Sequence, residues 1–503
     1  AIPRSLRMME GFGIHTFRLV NAEGKSHFVK FHWKPLQGTH SITWDEAVKI
    51  HGADADFHRR DLWDAIDSGQ FPEWELGMQI VPEEDEHKFD FDLLDPTKLI
   101  PEEMVPVKIV GKMTLNRNPD NFFAETEQVA FHPGHVVPGI DFTNDPLLQG
   151  RLFSYTDTQL SRLGSPNFHE IPINRPVNET HNNQRDAHMR MTINKGKTAY
   201  FPNSIGGGCP HLAKMAEGGF TSYEERIDAK KVRARSESFS DHYSQPALFY
   251  RSLTDWEKEH VADAYTFELG KCTYEHIKKR MLYIINQIDE DLASKVAEGL
   301  GMDIPKKIDG PVNQALGADD DVEKHQPGKK KNYLEKSEAL SLTHLKTDSI
   351  ATRKIAFLVG DGFDGEATIK MKDALEKEHA MVHLVAPHGG KVKCDHDKEH
   401  DVDAAIMTTE SVLYDAVYIA GGEKSAKALS NAPKTVKFVN EALKHCKAVS
   451  ANSSAEEFYS HTFLKDFKDD KAVLIDQSPA DFVKQIAAHR NWDRRKQVDQ
   501  IPV

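Results

Sequence analysis

With 503 residues, the chain is long enough to form two or three domains with large buried cores. Its formal net charge of −14 argues against nucleic acids and anionic membranes as partners, and no apolar run approaches the roughly 20 residues of a membrane span. The four cysteines are widely spaced, which predicts neither a disulfide framework nor a structural zinc site and favours a reducing cytoplasm. They are Cys209, Cys272, Cys394 and Cys446.

Residues 1–115 are predicted to contain antiparallel strands. Residues 15–20 and 27–33 are strand-like and flank a turn-rich connection, which predicts a β-hairpin. The other segments with a clear preference are strand-like at 74–82 and 105–115, and helical at 44–50 and 54–68, where Asp54 and Asp56 are candidate caps. These strands make only part of a barrel, and because open sheet edges invite pairing we expect a partner segment.

Three segments of different character follow. Residues 116–219 are rich in Pro, Asn, Gly and His, which is typical of a segment that carries function or wraps a partner. Residues 220–304 are predicted to be helical, because Thr254 and Glu257 form a capping box and an apolar stripe recurs at helical spacing. The stripe consists of Ile277, Met281, Ile284, Ile288, Leu292 and Val296. Residues 305–350 form a linker with solvated charge runs.

Residues 351–503 alternate between strand-like and helix-like segments. The buried-type strands are predicted at 355–359, 382–386, 416–420 and 448–450. Strands that alternate with helices predict a doubly wound α/β domain.

The most informative spacing is that of Arg151 and Tyr155. On a helix, residues four apart share a face, so the guanidinium can lie against the phenol. A cation about 4 Å away supplies roughly 4 kcal/mol toward ionisation at an effective dielectric of about 20, which is marginal for a free phenol; a bound ferric iron would complete it. Tyrosine is the axial haem ligand of catalase. Taken alone, such a pair is far more often a surface cation–π contact.

The neighbouring residues favour the first interpretation. The sequence of residues 145–159, DPLLQGRLFSYTDTQ, closely resembles the proximal haem signature of haem catalases. The segments 12–17, 113–119, 131–134 and 138–140 match the family as well, so that the resemblance covers roughly residues 1–300. The chain resembles the large-subunit catalases, which carry an extra C-terminal domain similar to the flavodoxin-like class I glutamine amidotransferase domain.

The resemblance implies an α+β fold in five parts. These are part of an antiparallel catalase β-barrel (1–115), a wrapping segment with the proximal haem helix (116–219), a helical domain (220–304), a linker (305–350) and an α/β flavodoxin-like domain (351–503). It also implies a cytoplasmic homotetramer that binds haem, either haem b or an oxidised d-type form. The implied reaction is the disproportionation of hydrogen peroxide to water and oxygen through a ferryl intermediate, which protects against oxidative stress.

The resemblance assigns residue roles on the proximal side. Tyr155 is the expected iron ligand, and Arg151, His15 and Asp145 form the expected relay behind it. Read without the family, His15 is a strand histidine bonded to backbone and Asp145 is a helix N-cap.

Further residues match positions around the haem. Arg162 resembles the arginine that pairs with a haem propionate, and Gln159 suggests a hydrogen bond near the ring edge. His132 is either a backbone-bonded histidine or an imidazole that becomes covalently linked to Tyr155. The pocket-wall positions are matched by Phe131, Ile14, Leu147, Ser154 and Thr158.

Two departures from the family pattern matter. The distal histidine and asparagine that handle peroxide have no match here, and the chain begins Ala1-Ile2-Pro3 without methionine. We therefore expect a further N-terminal segment that carries both. In the C-terminal domain, the position of a nucleophilic cysteine reads Ser450 to Ser454, and Cys446 precedes the strand. This domain is predicted to catalyse no reaction.

Three functions remain open from the sequence. The leading hypothesis is a haem catalase. The alternatives are a non-catalytic proximal-half haem-binding or scaffold chain that needs a separate distal segment, and a peroxidase-like enzyme that oxidises small organic donors. Oxygen evolution from peroxide separates the first two, and turnover of phenolic donors identifies the third.

Overall fold

The computed structural model describes residues 2–177, 184–198, 200, 202–203, 219–228, 230, 232, 235–314, 316–345 and 348–503. Within these residues the fold is mixed, with a curled antiparallel sheet in the first third of the chain, a helical middle and a parallel sheet in the last third. No helix in the described ranges is both long enough and apolar enough to cross a membrane.

The strands are numbered in chain order. They are β1 (Ile2–Pro3), β2 (Gly11–Phe12), β3 (Phe17–Val20), β4 (Ser26–Pro35), β5 (Ser41–Ile42), β6 (Glu73–Pro82), β7 (Lys108–Thr114), β8 (Ile140–Asp141), β9 (Lys354–Leu358), β10 (Met381–Ala386), β11 (Lys391–Lys393), β12 (Glu399–Asp401), β13 (Ala404–Ala405), β14 (Ala416–Ile419), β15 (Ala448–Ala451) and β16 (Val473–Ile475).

The α-helices are numbered in the same way. They are α1 (Trp44–Ala53), α2 (Phe57–Asp67), α3 (Pro146–Leu163), α4 (Ser244–Ser252), α5 (Asp255–Gly270), α6 (Glu275–Ile288), α7 (Glu290–Leu300), α8 (Gly365–Lys377), α9 (Glu423–Ser430), α10 (Pro433–Lys444), α11 (Glu456–Tyr459) and α12 (Pro479–Ala487).

The antiparallel sheet is a half-barrel. Its order is β7-β6-β4-β3-β8, and β2 pairs with β4. The predicted hairpin between β3 and β4 is confirmed, with Phe17 opposite Val29 and Val20 opposite Ser26. The long strands β4 and β6 carry alternating apolar residues, and Phe28 and Val81 anchor a buried core on one face. Strands β7 and β8 have a described partner on one side only.

The parallel sheet lies between two layers of helices. Its order is β13-β10-β9-β14-β15-β16, and all its strand pairs are parallel. Strands buried on both faces are continuously apolar, as residues 416–419 show, and the two faces of the sheet contact separate cores. The predicted alternation of strands and helices is confirmed.

The helical middle agrees with the sequence in one respect and differs in another. The capping box of Thr254 and Glu257 begins α5, as predicted. The predicted apolar stripe is wrong as a single helical face, because the chain is extended at Asp289 and the helix is divided into α6 and α7. The Asp289 side chain caps α7 by accepting from the Leu292 amide. Ile277 is consequently exposed, and Leu282 and Ile285 are buried instead.

The capping predictions around the first helices are only partly correct. Asp56 lies at the N-cap of α2 but makes no side-chain capping bond. The capping box of α1, formed by Thr43 and Glu46, was not predicted.

A buried ionic cluster joins the start of the chain to the C-terminal domain. The carboxylate of Asp415 accepts from Arg4 at 2.6 and 2.9 Å, and Glu46 accepts from Arg490 at 3.0 Å. All four side chains are at most 5% exposed. Burial alone would raise the pKa of the Asp415 carboxyl, but Arg4 and Arg353 hold it well below its usual range.

Three of the four cysteines lie among the described residues, and these three are free thiols: Cys272, Cys394 and Cys446. Cys209 lies outside the described residues. Cys446 is buried, which raises the pKa of its thiol to about 11. An inert apolar thiol is what its position before a strand predicts.

Candidate functional site

Helix α3 carries the central part of the site, and its ends follow from local sequence. Asp145 is its N-cap, and the Asp145 Oδ1 atom accepts from the Leu147 and Leu148 amides at 2.8 and 3.2 Å. Pro146 occupies the first turn, where a missing N–H costs nothing. Gly164 ends the helix in the left-handed conformation at φ 77°.

A continuous line of hydrogen bonds runs from Asp145 to Tyr155. The other carboxylate oxygen, Oδ2, lies 2.5 Å from Nδ1 of His15, and Nε2 of His15 lies 2.8 Å from Nη1 of Arg151. Arg151 Nη2 donates to the Tyr155 phenol oxygen at 2.8 Å. Because a guanidinium can only donate, Nε2 of His15 accepts, and Nδ1 carries the hydrogen that Asp145 accepts.

Two interpretations that the sequence offered as alternatives therefore hold together at Asp145. One oxygen caps the helix while the other bonds His15, which is possible because a carboxylate has two oxygens with free lone pairs. Asp145 is fully buried and His15 is 5% exposed, whereas Arg151 and Tyr155 are half-buried. The line of bonds thus runs from the interior to the surface at the phenol.

Exposed apolar side chains surround this surface. Leu147, Arg151 and Thr158 follow one another at helical spacing on the Tyr155 side of α3. Ile14 precedes His15 in the chain, and Phe131 is tied to α3 because its carbonyl accepts from the Gln159 side chain at 2.9 Å. The exposed fractions are 56% for Ile14, 77% for Phe131 and 52% for Leu147. Ser154 and Thr158 are exposed as well.

Three stretches of the chain match known families. Residues 1–207 match the family described as Catalase, and residues 236–300 match the one described as Catalase-related immune-responsive. Residues 351–496 match the C-terminal domain found in long catalases.

Curated relatives extend over the whole chain. Catalase HPII of Pseudomonas putida is 53% identical over 509 residues, an alignment that covers 100% of this chain and 68% of the relative. The chain belongs to the catalase family.

Other catalases give the same result. Catalase-2 of Bacillus subtilis is 49% identical and Catalase-B of Dictyostelium discoideum is 46% identical, with 98% and 100% of this chain aligned. The chain spans about 70% of their length (69% and 71%).

Catalases are haem proteins, and the residues present here fit that cofactor. The phenol of Tyr155 has one protein hydrogen bond, from Arg151, and an oxygen atom with a further lone pair. Exposed apolar side chains such as Ile14 and Phe131 form the kind of surface that a flat, largely apolar macrocycle covers. A phenol oxygen, apolar walls and a cation bonded to the phenol together fit a ferric haem.

Arg162, the predicted propionate partner, is bound to the chain itself. Its guanidinium donates to the Glu127 carbonyl at 2.7 Å, to the Val129 carbonyl and to the Gln159 side chain at 3.0 Å. The Gln159 side chain is 4% exposed. It accepts from Arg162 and donates to the Phe131 carbonyl, so it links these two residues beneath the surface. The propionate pairing and the ring-edge role of Gln159 stay predictions.

His132 lies beside Tyr155 but has both ring nitrogens bonded. The Gly134 amide donates to Nδ1 at 2.8 Å, and Nε2 lies 2.7 Å from the Thr156 hydroxyl. The ring is 6.3 Å from the Tyr155 ring, between centroids, and stacks on His135. Covalent linkage of His132 to Tyr155 stays a prediction. A linkage through Nδ1 would require this nitrogen to give up its hydrogen bond from the Gly134 amide.

Sequence reasoning missed Thr156 and His135 as neighbours of this histidine. Thr156 follows Tyr155 directly, so its side chain points along the helix toward residue 132. The only local signal was the recurrence of histidine in Phe131-His132-Pro133-Gly134-His135, which does not by itself predict a stack.

The segment from Ser450 to Ser454 lies at the carboxyl edge of the parallel sheet, where α/β domains bind ligands. Ser450 is 1% exposed inside β15. The Ser454 hydroxyl donates to Asn452 at 2.7 Å and accepts from the Gly422 amide at 2.9 Å, so its proton and one of its two lone pairs are engaged. A Cβ on Gly421 would collide with Ser454 and would lie 2.7 Å from Asn452 Cγ.

Proposed function

We propose that the chain holds haem through Tyr155 and that the protein converts two molecules of hydrogen peroxide to water and oxygen. The observation that carries the proposal is the position of Arg151, which donates at once to His15 and to the Tyr155 phenol oxygen. A surface cation–π pair would not need the buried histidine and carboxylate behind it.

The bound haem supplies the redox chemistry of peroxide cleavage. The residues of this chain supply its surroundings. Arg151 stabilises the phenolate, and His15 orients Arg151 because its Nε2 accepts from one guanidinium nitrogen. Asp145 orients His15 and accepts its Nδ1 hydrogen. Ile14 and Leu147 exclude water from the ring face.

The test is Tyr155→Phe in the haem-reconstituted protein. We expect loss of stable haem binding, or loss of the tyrosinate spectrum and of oxygen evolution, because phenylalanine has no oxygen to bind iron. Tyr274→Phe is the matched control, since Tyr274 is 64% exposed on the helical domain. An unchanged visible spectrum and unchanged peroxide turnover in Tyr155→Phe would refute the assignment.

A second candidate is a haem-binding chain that decomposes peroxide only when another segment supplies the distal side. It is favoured by the single-sided pairing of β7 and β8 among the described residues and by the exposed apolar face around Tyr155. Residues 1–503 expressed alone should then bind haem and evolve oxygen slowly. Turnover equal to that of ordinary catalases would exclude this candidate.

Four further properties of the protein stay predictions. They are the homotetramer, the cytoplasmic location, the chemical form of the haem and the role in oxidative stress. We also propose that the C-terminal domain is flavodoxin-like and catalyses no reaction, which its parallel sheet and the burial of Ser450 support. Ser450→Ala should leave peroxide turnover unchanged.

A further inference from the structure

We propose that Lys30 is a further positioning residue of the haem site, a buried cation that fixes the backbone before His15 and adds positive charge behind the line of bonds that ends at Tyr155. The inference rests on the proposed function, because it concerns the far end of the line of bonds that ends at Tyr155.

The first observation is the place of Lys30 in β4. Its side chain is only 3% exposed, which is rare for lysine, and its ammonium donates to two backbone carbonyls. The acceptors are Ile14 at 3.1 Å and Lys98 at 2.7 Å. Lys30 therefore joins the strand to two loops that β pairing does not hold.

The contact with the Ile14 carbonyl bears directly on the site. Because the peptide unit is planar, fixing this carbonyl also fixes the amide and Cα of His15. Ile14 itself lies in the exposed apolar wall. One ammonium group thus positions a wall residue and the histidine that orients Arg151.

The second observation is the charge that surrounds Lys30. The carboxylates that face it are Asp145 at the start of α3 and Asp95 in the loop before residue 98. Asp95 has its own cation, Lys98, at 3.3 Å. Among the described residues, Asp145 has no lysine or arginine nitrogen within 4 Å, and its one ion-pair partner is His15. Lys30 itself has no carboxylate within 4 Å among the described residues, so it acts on Asp145 at longer range as a buried cation.

The other titratable groups near Lys30 are few. His15 lies beyond Asp145, and His32 follows two positions along β4 and is bonded to Gln79 at 2.7 Å. Burial lowers the pKa of Lys30 to about 8, although Asp95 and Asp145 act in the opposite direction. The cation is therefore present at pH 7 and absent at pH 10.

The experiment is a spectroelectrochemical measurement of the ferric/ferrous potential between pH 6 and 10 in the haem-loaded full-length protein. Removing a buried cation favours the more positive ferric state, so Lys30→Met should have a lower potential than the wild type at pH 7. The two curves should converge above pH 8, where wild-type Lys30 loses its proton. A merely structural role would not produce this convergence.

Two further variants complete the test. Lys30→Arg keeps its charge, because the guanidinium stays protonated, and should hold its neutral-pH potential through pH 9. Lys34→Met is the control, since Lys34 lies on the same strand but pairs with Glu102 at 2.7 Å, and it should follow the wild type.

Coincident curves of Lys30→Met and the wild type at pH 7 would overturn the proposal. If Lys30→Met does not retain haem, Lys30→Arg provides the test. An inflection of its ferric/ferrous potential near pH 8, like that of the wild type, would also overturn the proposal. Only variants with the tyrosinate spectrum of the wild type are compared. A wild type without that spectrum would instead refute the proposed function.

Discussion

Arg151 contributes both hydrogen bonds and a positive charge to the candidate site. Its two terminal nitrogens donate to different acceptors, and the guanidinium carbon lies 4.8 Å from the centre of the Tyr155 ring. A planar fork can satisfy both acceptors in one rotamer, whereas an ammonium group acts as a point charge. The identity of the cation therefore matters as well as its presence.

This predicts a graded response at position 151. Arg151→Met should lose most haem occupancy, because a cation about 4 Å from a phenolate is worth roughly 4 kcal/mol at an effective dielectric of about 20. Arg151→Lys should recover part of it, since one amine cannot hold His15 and Tyr155 together in this geometry. Haem content per chain and the tyrosinate band are the measurements. Equal occupancy in all three proteins would show that the charge is not needed.

For individual residues, the sequence predicted contacts between neighbours in the chain well and contacts between residues far apart in the chain poorly. The contact between Arg151 and Tyr155 follows from helical spacing alone, and Asp145 was identifiable as a cap from its position before Pro146. The approach of His15 to both came from the family resemblance. Lys30 gave no signal, because a lysine in a strand is usually solvated and its acceptors lie 16 and 68 residues away.

Among the elements, the turn after β14 packs tightly against the segment that follows β15. Gly421 leaves no room for a side chain, because Ser454 and Asn452 occupy the space where its Cβ would lie. Since both neighbours are held by hydrogen bonds to each other, neither can move away freely.

Gly421→Ala should therefore destabilise the C-terminal domain by about 1 to 3 kcal/mol, the usual range for overpacking. Gly52→Ala is the matched control: Gly52 lies in α1 with no atom within 4 Å of the added Cβ, and alanine should gain up to about 1 kcal/mol there. Thermal unfolding and haem content report the outcome. A loss of stability in Gly52→Ala equal to that in Gly421→Ala would contradict the collision.

Element boundaries show what sequence patterns can and cannot determine. Strands β9, β10, β14 and β15 were predicted within one residue or two, because apolar runs bounded by glycine and polar residues define buried strands. The division between α6 and α7 was missed, because the apolar spacing continues across Asp289 although the backbone there is extended and not helical. A helix cap within a periodic apolar stripe can be predicted only by considering that its side chain competes for the hydrogen bonds of the backbone.

In the whole molecule, the helical middle and the C-terminal domain meet through aromatic residues. Trp256 and Trp492 stack at 4.3 Å, and His260 lies against both. His260 is 2% exposed, and neither ring nitrogen has a partner among the described residues. Burial lowers the pKa of this imidazole to about 3, so it stays neutral in the folded protein.

Stability should therefore fall as the pH drops below about 6.5, where the histidine of the unfolded chain gains a proton that the folded chain cannot accept. At pH 5 the loss from His260 alone is about 2 kcal/mol. His260→Phe should remove this part of the loss, and His396→Phe, on an exposed turn, should not. Chemical unfolding at pH 7 and pH 5 measures both. Parallel losses in the wild type and His260→Phe would contradict the assignment.

None of these contacts between distant regions was predicted. They join residues far apart in sequence, such as His489 and Ser41, and no local pattern specifies which partner a buried polar group will find. The buried strands of the C-terminal domain were predictable from their apolar runs, but the assembly of the parts depends on shape complementarity and on paired charges.

The pairing of Arg4 with Asp415 has a consequence for biosynthesis. The two residues are 411 positions apart, and both are buried in the folded protein. At a translation rate of roughly 5 to 20 residues per second, a nascent chain waits roughly 20 to 80 s between the two. During that interval Arg4 lacks Asp415, Glu46 in α1 lacks Arg490, and the apolar residues of α1 and α2 that pack against Val412 are uncovered. A folding helper that masks this surface on the ribosome should raise the yield of native protein more than one that acts after release.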